Sequence, residues 1–182
     1  MSDRDRPFAL ATEETYLRHI DSRDVKPTRA MLTFVVGGET YGLEILHIRE
    51  IIKMTEVTEV PRMPLFLLGV ISVRGVVIPV LDLRLRLRLD DTPLTRAARI
   101  LVVDVDGEPF GLLVDAVTDV VRFAESDIEP PPSTLNVSDS SFLAGIGRYA
   151  SGKRTKMVIL LHLDAVVKFE IRGRVQRKGG GA

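Results

Sequence analysis

The segment most similar to a catalytic motif is Gly147–Arg154, which reads GRYASGKR. It nearly matches the phosphate-binding pattern GxxxxGK[ST], in which backbone N–H groups hold phosphate and a hydroxyl binds magnesium. Arg154 stands at the hydroxyl position, and the following segment, Thr155 to Leu163, has the pattern of a strand, whereas that loop must open a helix. We therefore interpret the segment as the turn of a β-hairpin.

Other residue types that support catalysis are poorly placed for it. The chain has no cysteine, which excludes a thiolate nucleophile and a cysteine-bound metal. Three histidines lie far apart without metal-ligand spacing: His19, His47 and His162. Ser72 has no obvious base, and no GxSxG elbow occurs. Three aspartates could supply a carboxylate pair, but such residues are common at strand ends: Asp82, Asp104 and Asp115.

A basic stripe is the other charged pattern. Arg84, Arg86 and Arg88 alternate with four leucines, a period of two that predicts three cations on one face of a strand. Aromatic residues for base stacking are missing nearby, and three aspartates bracket the stripe. This context favours a solvated face or an acidic protein partner over nucleic acid.

Composition favours a folded protein without a global charge preference. Of 182 residues, 45% are apolar, and 25 basic residues balance 25 acidic ones, so electrostatic recognition must be local. The first residues, MSDRDRPFAL, lack the apolar core of a secretory signal, and no apolar run approaches membrane-span length. We expect a cytoplasmic protein that does not insert into a membrane.

The elements that must position these residues are mainly β-strands. From Met31 onward, short apolar runs alternate with turn signals such as Gly37-Gly38-Glu39, a pattern typical of a β-sandwich or barrel. The apolar stretch Gly69–Leu83 predicts one bent, largely buried strand. Gly75 indicates a bulge or sharp bend in it, and Pro79 indicates an edge or a barrel corner.

An internal repeat is the most informative feature of the sequence. Gly38–Leu43 (GETYGL) matches Gly107–Leu112 (GEPFGL), 69 residues further on. At the same offset, Ile48–Ile52 falls on Val117–Val121. The repeat predicts two similar small β-barrels.

The repeat divides the chain into four parts. Residues 30–95 form the first predicted barrel and residues 96–171 the second, and strands could exchange between the two halves. Residues 1–29 are an arm with a predicted short helix from Thr12 to about Asp24, whose apolar stripe is Tyr16, Leu17 and Ile20. We interpret it as a loosely attached arm. Residues 172–182 read as a basic, glycine-rich disordered tail.

Two matched apolar rows at spacing three mark a candidate groove between the halves. They consist of Ile45, Ile48 and Ile51 in the first half and Val114, Val117 and Val120 in the second. The same residues could instead all be core. A groove lined by aliphatic residues and bordered by Arg49, Glu50 and Arg74 would suit an amphipathic helix better than a sugar or a nucleotide.

Five blocks in succession resemble the bacterial chemotaxis coupling protein (CheW) family. They are Thr33–Ile52, Pro61–Leu89, Phe110–Val121, Ile128–Leu135 and Met157–Val167, and the resemblance covers about residues 30 to 170. It implies a mostly β fold of two five-stranded, SH3-like β-barrels packed around a hydrophobic seam, with short helices.

The resemblance also implies a function. Members of the family are non-catalytic scaffolds without a cofactor, which couple the cytoplasmic tip of chemoreceptors to the regulatory domain of the histidine kinase CheA. By this resemblance we expect a cytoplasmic adaptor, recruited to membrane-associated receptor arrays and monomeric when free.

Site residues follow from the same resemblance. The receptor-binding residues would be Ile45, Ile48, Ile51 and Arg74, with Val114 and Val117 as the opposite wall. Arg74 matches the arginine of the family's Asn-Leu-Arg-Gly motif, which reads Ser72-Val73-Arg74-Gly75 here. The kinase-binding residues would lie on exposed edges of the first barrel, near Glu50, Ile52 and Gly69.

A second class of function is a double barrel that binds a small ligand or nucleic acid. It would require a polar or aromatic-rich groove. Three tyrosines, seven phenylalanines and no tryptophan make the chain poorly suited to base stacking.

Overall fold

The computed structural model describes residues 28–90, 93–134 and 141–169, which form eleven β-strands and two short α-helices. The predicted helix from Thr12 to Asp24 and the predicted disordered tail lie outside the described residues. The strands are β1 (Thr28–Val36), β2 (Glu39–Glu44), β3 (Ile48–Lys53), β4 (Leu67–Val73), β5 (Val76–Asp82), β6 (Arg99–Val105), β7 (Glu108–Val114), β8 (Ala116–Ala124), β9 (Ile128–Glu129), β10 (Leu143–Ser151) and β11 (Arg154–Leu161). The helices are α1 (Leu83–Arg86) and α2 (Leu163–Val167), and 3₁₀ turns cover Ile45–His47 and Glu125–Asp127.

The strands form two sheets with the same topology. The first sheet has the order β8-β1-β2-β11-β10-β9, and the second has the order β3-β6-β7-β5-β4. Each sheet contains one parallel pair of strands among antiparallel pairs. It is β2 with β11 in the first sheet and β5 with β7 in the second. The second sheet closes where Thr58, after β3, pairs with Val70 of β4, and the first closes where β9, after β8, pairs with β10. The prediction of a mostly β, double-barrel fold is confirmed.

The two sheets exchange strands between the sequence halves. Strands β1 and β2 from the first half complete the sheet of β8 to β11, while β6 and β7 from the second half complete the sheet of β3 to β5. Each sheet therefore takes strands from both sides of the junction between residues 95 and 96.

One apolar core lies between the two sheets. It joins Phe34 and Leu43 of the first sheet to Leu101 and Leu112 of the second, and Val166 of α2 packs with them. We call this cluster the central core. Two smaller clusters, one for each sheet, lie around Phe123 in the first sheet and Ile100 in the second. Because the central core takes side chains from both sheets, neither sheet covers its apolar face alone.

The stretch Gly69–Leu83 contains a hairpin instead of the predicted single bent strand. Strands β4 and β5 pair with each other and are joined by Arg74 and Gly75, whose φ angles are 52° and 82°. Two positive φ angles in succession reverse the chain completely, as in a type I′ turn. Pro79 lies one residue before the parallel pairing of β5 with β7 begins, so that ladder does not need its missing N–H.

The predicted stripe of three cations on a strand face is wrong. The chain turns into helix α1 after Asp82, because the Asp82 carboxylate caps the helix by accepting the backbone N–H groups of Arg84 and Leu85 at 2.9 and 3.4 Å. Arg84 is buried and pairs with Asp82 at 2.8 Å. Its Nε also lies 3.6 Å from Asp115, which precedes β8, so the ion pair connects the two sheets.

Arg86 has a different structural role from Arg84. Its guanidinium lies between the rings of Phe66 and Phe142, 4.8 and 4.7 Å from their centroids. It also donates to the carbonyls of Val166 and Ala165 at 2.7 and 3.0 Å, near the end of α2. Burial lowers the pKa of Arg86 from its ordinary value, and the nearby positive charge of Arg88 lowers it further.

The interpretation of Gly147–Arg154 as a hairpin is confirmed, since β10 and β11 pair on either side of its turn.

Replacing Gly69 by alanine should destabilise the barrel that the second sheet forms. Gly69 has a φ of 145°, and an added Cβ would lie 2.1 Å from the carbonyl oxygen of Thr58. We expect the free energy of unfolding to fall by about 3 kcal/mol, measured by urea denaturation. Gly38→Ala is the control, because Gly38 has a φ of 85° but open space around its Cβ position, and it should lose about 1 kcal/mol. Equal losses would show that the close approach to Thr58 is not required.

Removing the Arg84 side chain should leave a buried carboxylate without its cation. We expect Arg84→Met to lower the free energy of unfolding by about 3 to 5 kcal/mol. In Asp82→Asn the side-chain oxygen can still cap α1, so the double variant should lose less than the sum of the two single losses. Strictly additive losses in urea denaturation would contradict a stabilising Asp82–Arg84 pair.

Candidate functional site

Two β-bulges align the apolar rows that the sequence places at spacing three. In β3, Ile48 pairs with Val103 and Ile51 with Leu101, which leaves Arg49 as an extra residue. Three residues along β3 therefore correspond to two on its partner, and Ile48 and Ile51 share one face. Their partners Val103 and Leu101 belong to the central core, so this row borders the seam between the sheets.

Strand β8 repeats this arrangement. Val117 pairs with Phe34 and Val120 with Leu32, and Thr118 is the extra residue. The hydroxyl of Thr33 holds this bulge through hydrogen bonds to the Thr118 hydroxyl at 2.8 Å and the Asp119 carbonyl at 3.0 Å. In β3, a salt bridge from Arg49 to Asp104 accompanies the bulge.

In each row, the exposure of the side chains increases from the border of the central core towards solvent. Ile48 and Val117 are half-buried and pack against that core, whereas Ile51 is 43% exposed and Val120 is 45% exposed. Ile45 is half-buried at the start of a 3₁₀ turn. Each row therefore offers a partner an aliphatic surface that is already held in place by packing.

Val114 does not belong to this surface. It has no exposed area and lies within the central core, so the prediction that it lines a groove is wrong. Val114 is the last residue of β7, which lies between two other strands of its sheet, whereas Val117 lies on the end strand β8. Its position inside the sheet accounts for its burial.

Arg74 and Glu50, predicted for two different partners, lie in direct contact. Arg74 Nη2 is 3.2 Å from Glu50 Oε2, and the Arg74 side chain is 82% exposed. A depression of about 150 Å³ adjoins the pair, and its wall includes the apolar residues Val76, Ile78 and Val102. The charged pair therefore lies beside a small apolar depression on the face of β3 opposite to Ile48 and Ile51, because Glu50 pairs with Val102 while the two isoleucines pair with Val103 and Leu101.

The backbone of Arg74 has a left-handed conformation, which Arg62 and Arg88 share. Three hairpin turns have positive φ at both central residues, namely Gly37-Gly38, Arg74-Gly75 and Asp106-Gly107. Glycine and aspartate tolerate this conformation, but for an arginine it raises the conformational free energy by about 1 to 2 kcal/mol. Its ion pair with Glu50 is exposed and recovers at most about 1 kcal/mol. This cost makes Arg74 a candidate for an interaction outside the chain.

The residues predicted for kinase binding are differently placed. Glu50 is partly exposed at the rim of the depression. Ile52 is half-buried and packs against the smaller core cluster of the second sheet. Gly69 is buried against the backbone of Thr58, where the second sheet closes, so the prediction that it lies at an exposed edge is wrong.

Sequence reasoning missed three exposed apolar residues beside the site. Val76 and Val77 follow the Arg74 turn and remain exposed, and Leu46 in the 3₁₀ turn is 88% exposed. The apolar run of β5 concealed the two valines because every residue in it suits a buried strand. Only the hairpin turn shows that they lie at its exposed end. Leu46 would have been found only by predicting the 3₁₀ turn.

Among the described residues, no group of three or more His, Asp or Glu side chains could hold a metal ion. No helix in the same part of the chain has the length and apolarity needed to span a membrane.

Comparisons with known proteins agree on one family. The family model described as the CheW-like domain matches residues 30–170. The chemotaxis protein CheW of Rhizobium meliloti (strain 1021) is 34% identical over 144 residues, which cover 79% of this chain and 90% of the relative. The corresponding protein of Helicobacter pylori is 33% identical over 135 residues, covering 74% of this chain and 79% of the relative. The crystal structure of the scaffolding protein TtCheW from Thermoanaerobacter tengcongensis superposes with a TM-score of 0.72 at 32% identity, covering 80% of this chain and 97% of that one.

Proposed function

This chain belongs to the CheW family and is a chemotaxis adaptor, and we propose that it joins the cytoplasmic helical tip of methyl-accepting chemoreceptors to the regulatory domain of the histidine kinase CheA. In this role it would place the kinase under receptor control. It would act in the cytoplasm and be recruited to membrane-associated receptor arrays. Family membership favours this role over a double barrel that binds nucleic acid or a small ligand.

The observation that carries the proposal is the bulged row on β3. Ile48 and Ile51 share a face at the border of the central core, with Ile45 at the preceding turn, and the Arg74–Glu50 pair involves the same strand. An amphipathic helix presents an apolar stripe with charged flanks, so the stripe would contact the isoleucine row while a flanking charge reaches towards Arg74 on the other side of β3. The proposed receptor site therefore consists of Ile45, Ile48, Ile51 and Arg74, with Val117 as a further apolar contact.

The kinase site is proposed next to the receptor site. Of the residues predicted for kinase binding, Glu50 has a charged side chain that is partly exposed. On the adjacent hairpin, Val76 and Val77 expose apolar area. Because Glu50 pairs with Arg74, a partner at one site changes the electrostatic environment of the other. This contact offers a direct physical route between receptor and kinase.

We also propose that the adaptor works without catalysis. The three aspartates that could have formed a carboxylate pair all have structural partners. Asp82 caps α1 and pairs with Arg84, Asp104 binds Arg49, and Asp115 accepts the backbone N–H of Gly37 at 2.8 Å.

Ile51→Asp should weaken binding of a receptor helical-tip fragment at least tenfold, because a charge in an aliphatic contact is desolvated without a partner. Val120→Asp is the matched control, since Val120 is the repeat equivalent of Ile51, has nearly the same exposure and lies outside the proposed site. Calorimetric titration measures affinity. Urea denaturation should show losses below about 1 kcal/mol for both variants. Unchanged affinity of Ile51→Asp would remove the β3 row from the receptor site.

Arg74→Gly should separate binding from folding. We expect the affinity for the receptor fragment to fall by about 1 to 3 kcal/mol, the value of a hydrogen bond to a charged group. The free energy of unfolding should stay within about 1 kcal/mol, because relief of the left-handed backbone offsets the lost surface pair and the entropy of glycine. Arg74→Lys should restore only part of the affinity, since it lacks the planar fork.

The control for Arg74→Gly is Asp106→Gly, at the same turn position of another hairpin and with the same φ of 52°. It should leave receptor binding unchanged. A stability loss that parallels the binding loss in the Arg74 variants would return Arg74 to a structural role.

A further inference from the structure

A depression of about 370 Å³ lies where the described chain begins. It is bounded by Thr28, Arg29 and Ala30 of β1, by Ile45 and Leu46 of the 3₁₀ turn, and by Arg122 of β8, with Glu44 at its edge. Leu46 exposes 88% of its surface there. A single exposed leucine is ordinary in a folded protein. Here, however, it stands beside a cavity with room for several side chains.

The two arginines at the depression differ in their ion pairing. Arg29 donates from Nε to Glu44 Oε1 at 2.7 Å, so these two groups neutralise each other. Arg122 on β8 is exposed, and within residues 28–90, 93–134 and 141–169 it has no carboxylate at salt-bridge distance. The site therefore combines exposed aliphatic surface with one cation, which fits an apolar segment that carries negative charge.

The arm that precedes Thr28 enters the fold at this depression. The pairing of β1 with β2 ends at Met31 and Glu44, and the first residues of β1 line the depression together with Leu46 of the turn that follows Glu44. Twenty-seven residues precede Thr28. The last three, residues 25–27, can span about 10 Å. A segment that ends at Asp24 is therefore within reach of the depression.

The sequence of the arm matches the surface in chemistry. In the predicted helix from Thr12 to about Asp24, the apolar stripe is Tyr16, Leu17 and Ile20. Asp21 and Asp24 follow Leu17 at spacings of four and seven, which places them on the same side of a helix as the stripe. The apolar stripe could pack against Leu46, and the two carboxylates could form ion pairs with Arg122.

We propose that residues 12–24 of this chain dock in the depression, with Leu17 and Ile20 covering Ile45 and Leu46, and with Asp21 and Asp24 close to Arg122. The contact is small, and free in solution it would be weak. A short tether raises the effective concentration of the segment to about the millimolar range, so that even a weak contact is populated. Docking of this kind is compatible with an arm that is only loosely attached.

Docking of the arm has a consequence for receptor binding, and this consequence rests on the proposed function. Ile45 belongs both to the wall of the depression and to the proposed receptor site. A docked arm covers it, so the arm and the receptor helix compete. Loss of the arm contact should then tighten receptor binding by one plus the ratio of effective concentration to arm dissociation constant, which is about 2- to 10-fold for dissociation constants from about 1 mM to about 0.1 mM.

Disulfide trapping tests the docking without any partner. The chain has no cysteine, so two introduced cysteines report on one contact. The test pair is Ile20→Cys with Leu46→Cys in the full chain, and the matched control is Ser22→Cys with Leu46→Cys. Ser22 is closer to the tether than Ile20 but lies about 200° away from it around a helix, so simple proximity would favour the control. Mild oxidation of dilute protein, followed by mass spectrometry, gives the rate of intramolecular disulfide formation.

The rates decide the docking proposal. The Ile20 pair should form its disulfide at least fivefold faster than the Ser22 pair, because disulfides require Cα atoms within about 7 Å. Equal rates, or a faster Ser22 pair, would overturn the proposal. Predominant formation of linked dimers would overturn it as well, since a second copy of the chain would then occupy the depression.

A receptor titration tests the competition separately. The full chain with Leu17→Ser and Ile20→Ser should bind a receptor helical-tip fragment 2- to 10-fold more tightly than the unmodified chain. Unchanged affinity would overturn the competition even if the disulfide forms. If neither protein binds the fragment, the proposed receptor site fails, while the trapping experiment still decides whether the arm docks.

Discussion

The central core is the interaction on which the rest of the structure depends. Each sheet is completed by strands from the other half of the sequence, and each covers its apolar face with the other sheet. Apolar burial is the dominant favourable term in folding, so a half-chain that loses this core loses most of its stability. Polar contacts at the junction also join the two halves. Asp82 and Arg84 connect to Asp115, and Arg86 connects α1 to α2, so helices and sheets from both halves are bonded together.

This shared core also shows how a rigid barrel can keep aliphatic side chains partly accessible at its surface. An aliphatic side chain that is fully buried cannot contact a partner, and one that is fully exposed must lose conformational entropy when it does. Ile48 and Val117 avoid both limits because each packs against the core while keeping part of its surface accessible. The bulges at Arg49 and Thr118 extend each row outward on the same face. Without the extra residue, Ile51 and Val120 would point to the opposite side of their strands.

The sequence was sufficient for the features that depend on local pattern, and insufficient where a single polar contact decides the conformation. The repeat predicts two equivalent barrels because matching hairpin turns and apolar positions recur at one offset. The period of two after Asp82 predicts a strand, but the carboxylate of Asp82 caps a helix instead, and the pattern itself contains no sign of that bond. Arg74 conceals a hairpin turn because an arginine is disfavoured in the left-handed conformation that the turn requires. The burial of Val114 and Gly69 depends on neighbouring strands and backbone that are distant in sequence.

The duplication supplies two equivalent apolar rows, and the charges around them are what make the rows different. Beside β3, Glu50 pairs with the exposed cation of Arg74. The repeat equivalent of Glu50 is Asp119, whose carboxylate accepts the backbone N–H of Val120 at 2.7 Å. Apolar contact alone would let a helix bind either row in several orientations, whereas a charge at the rim raises the free energy of the wrong ones. On the proposed function, the near-symmetric scaffold would acquire one oriented binding surface through Arg74, which the hairpin holds in a left-handed backbone conformation.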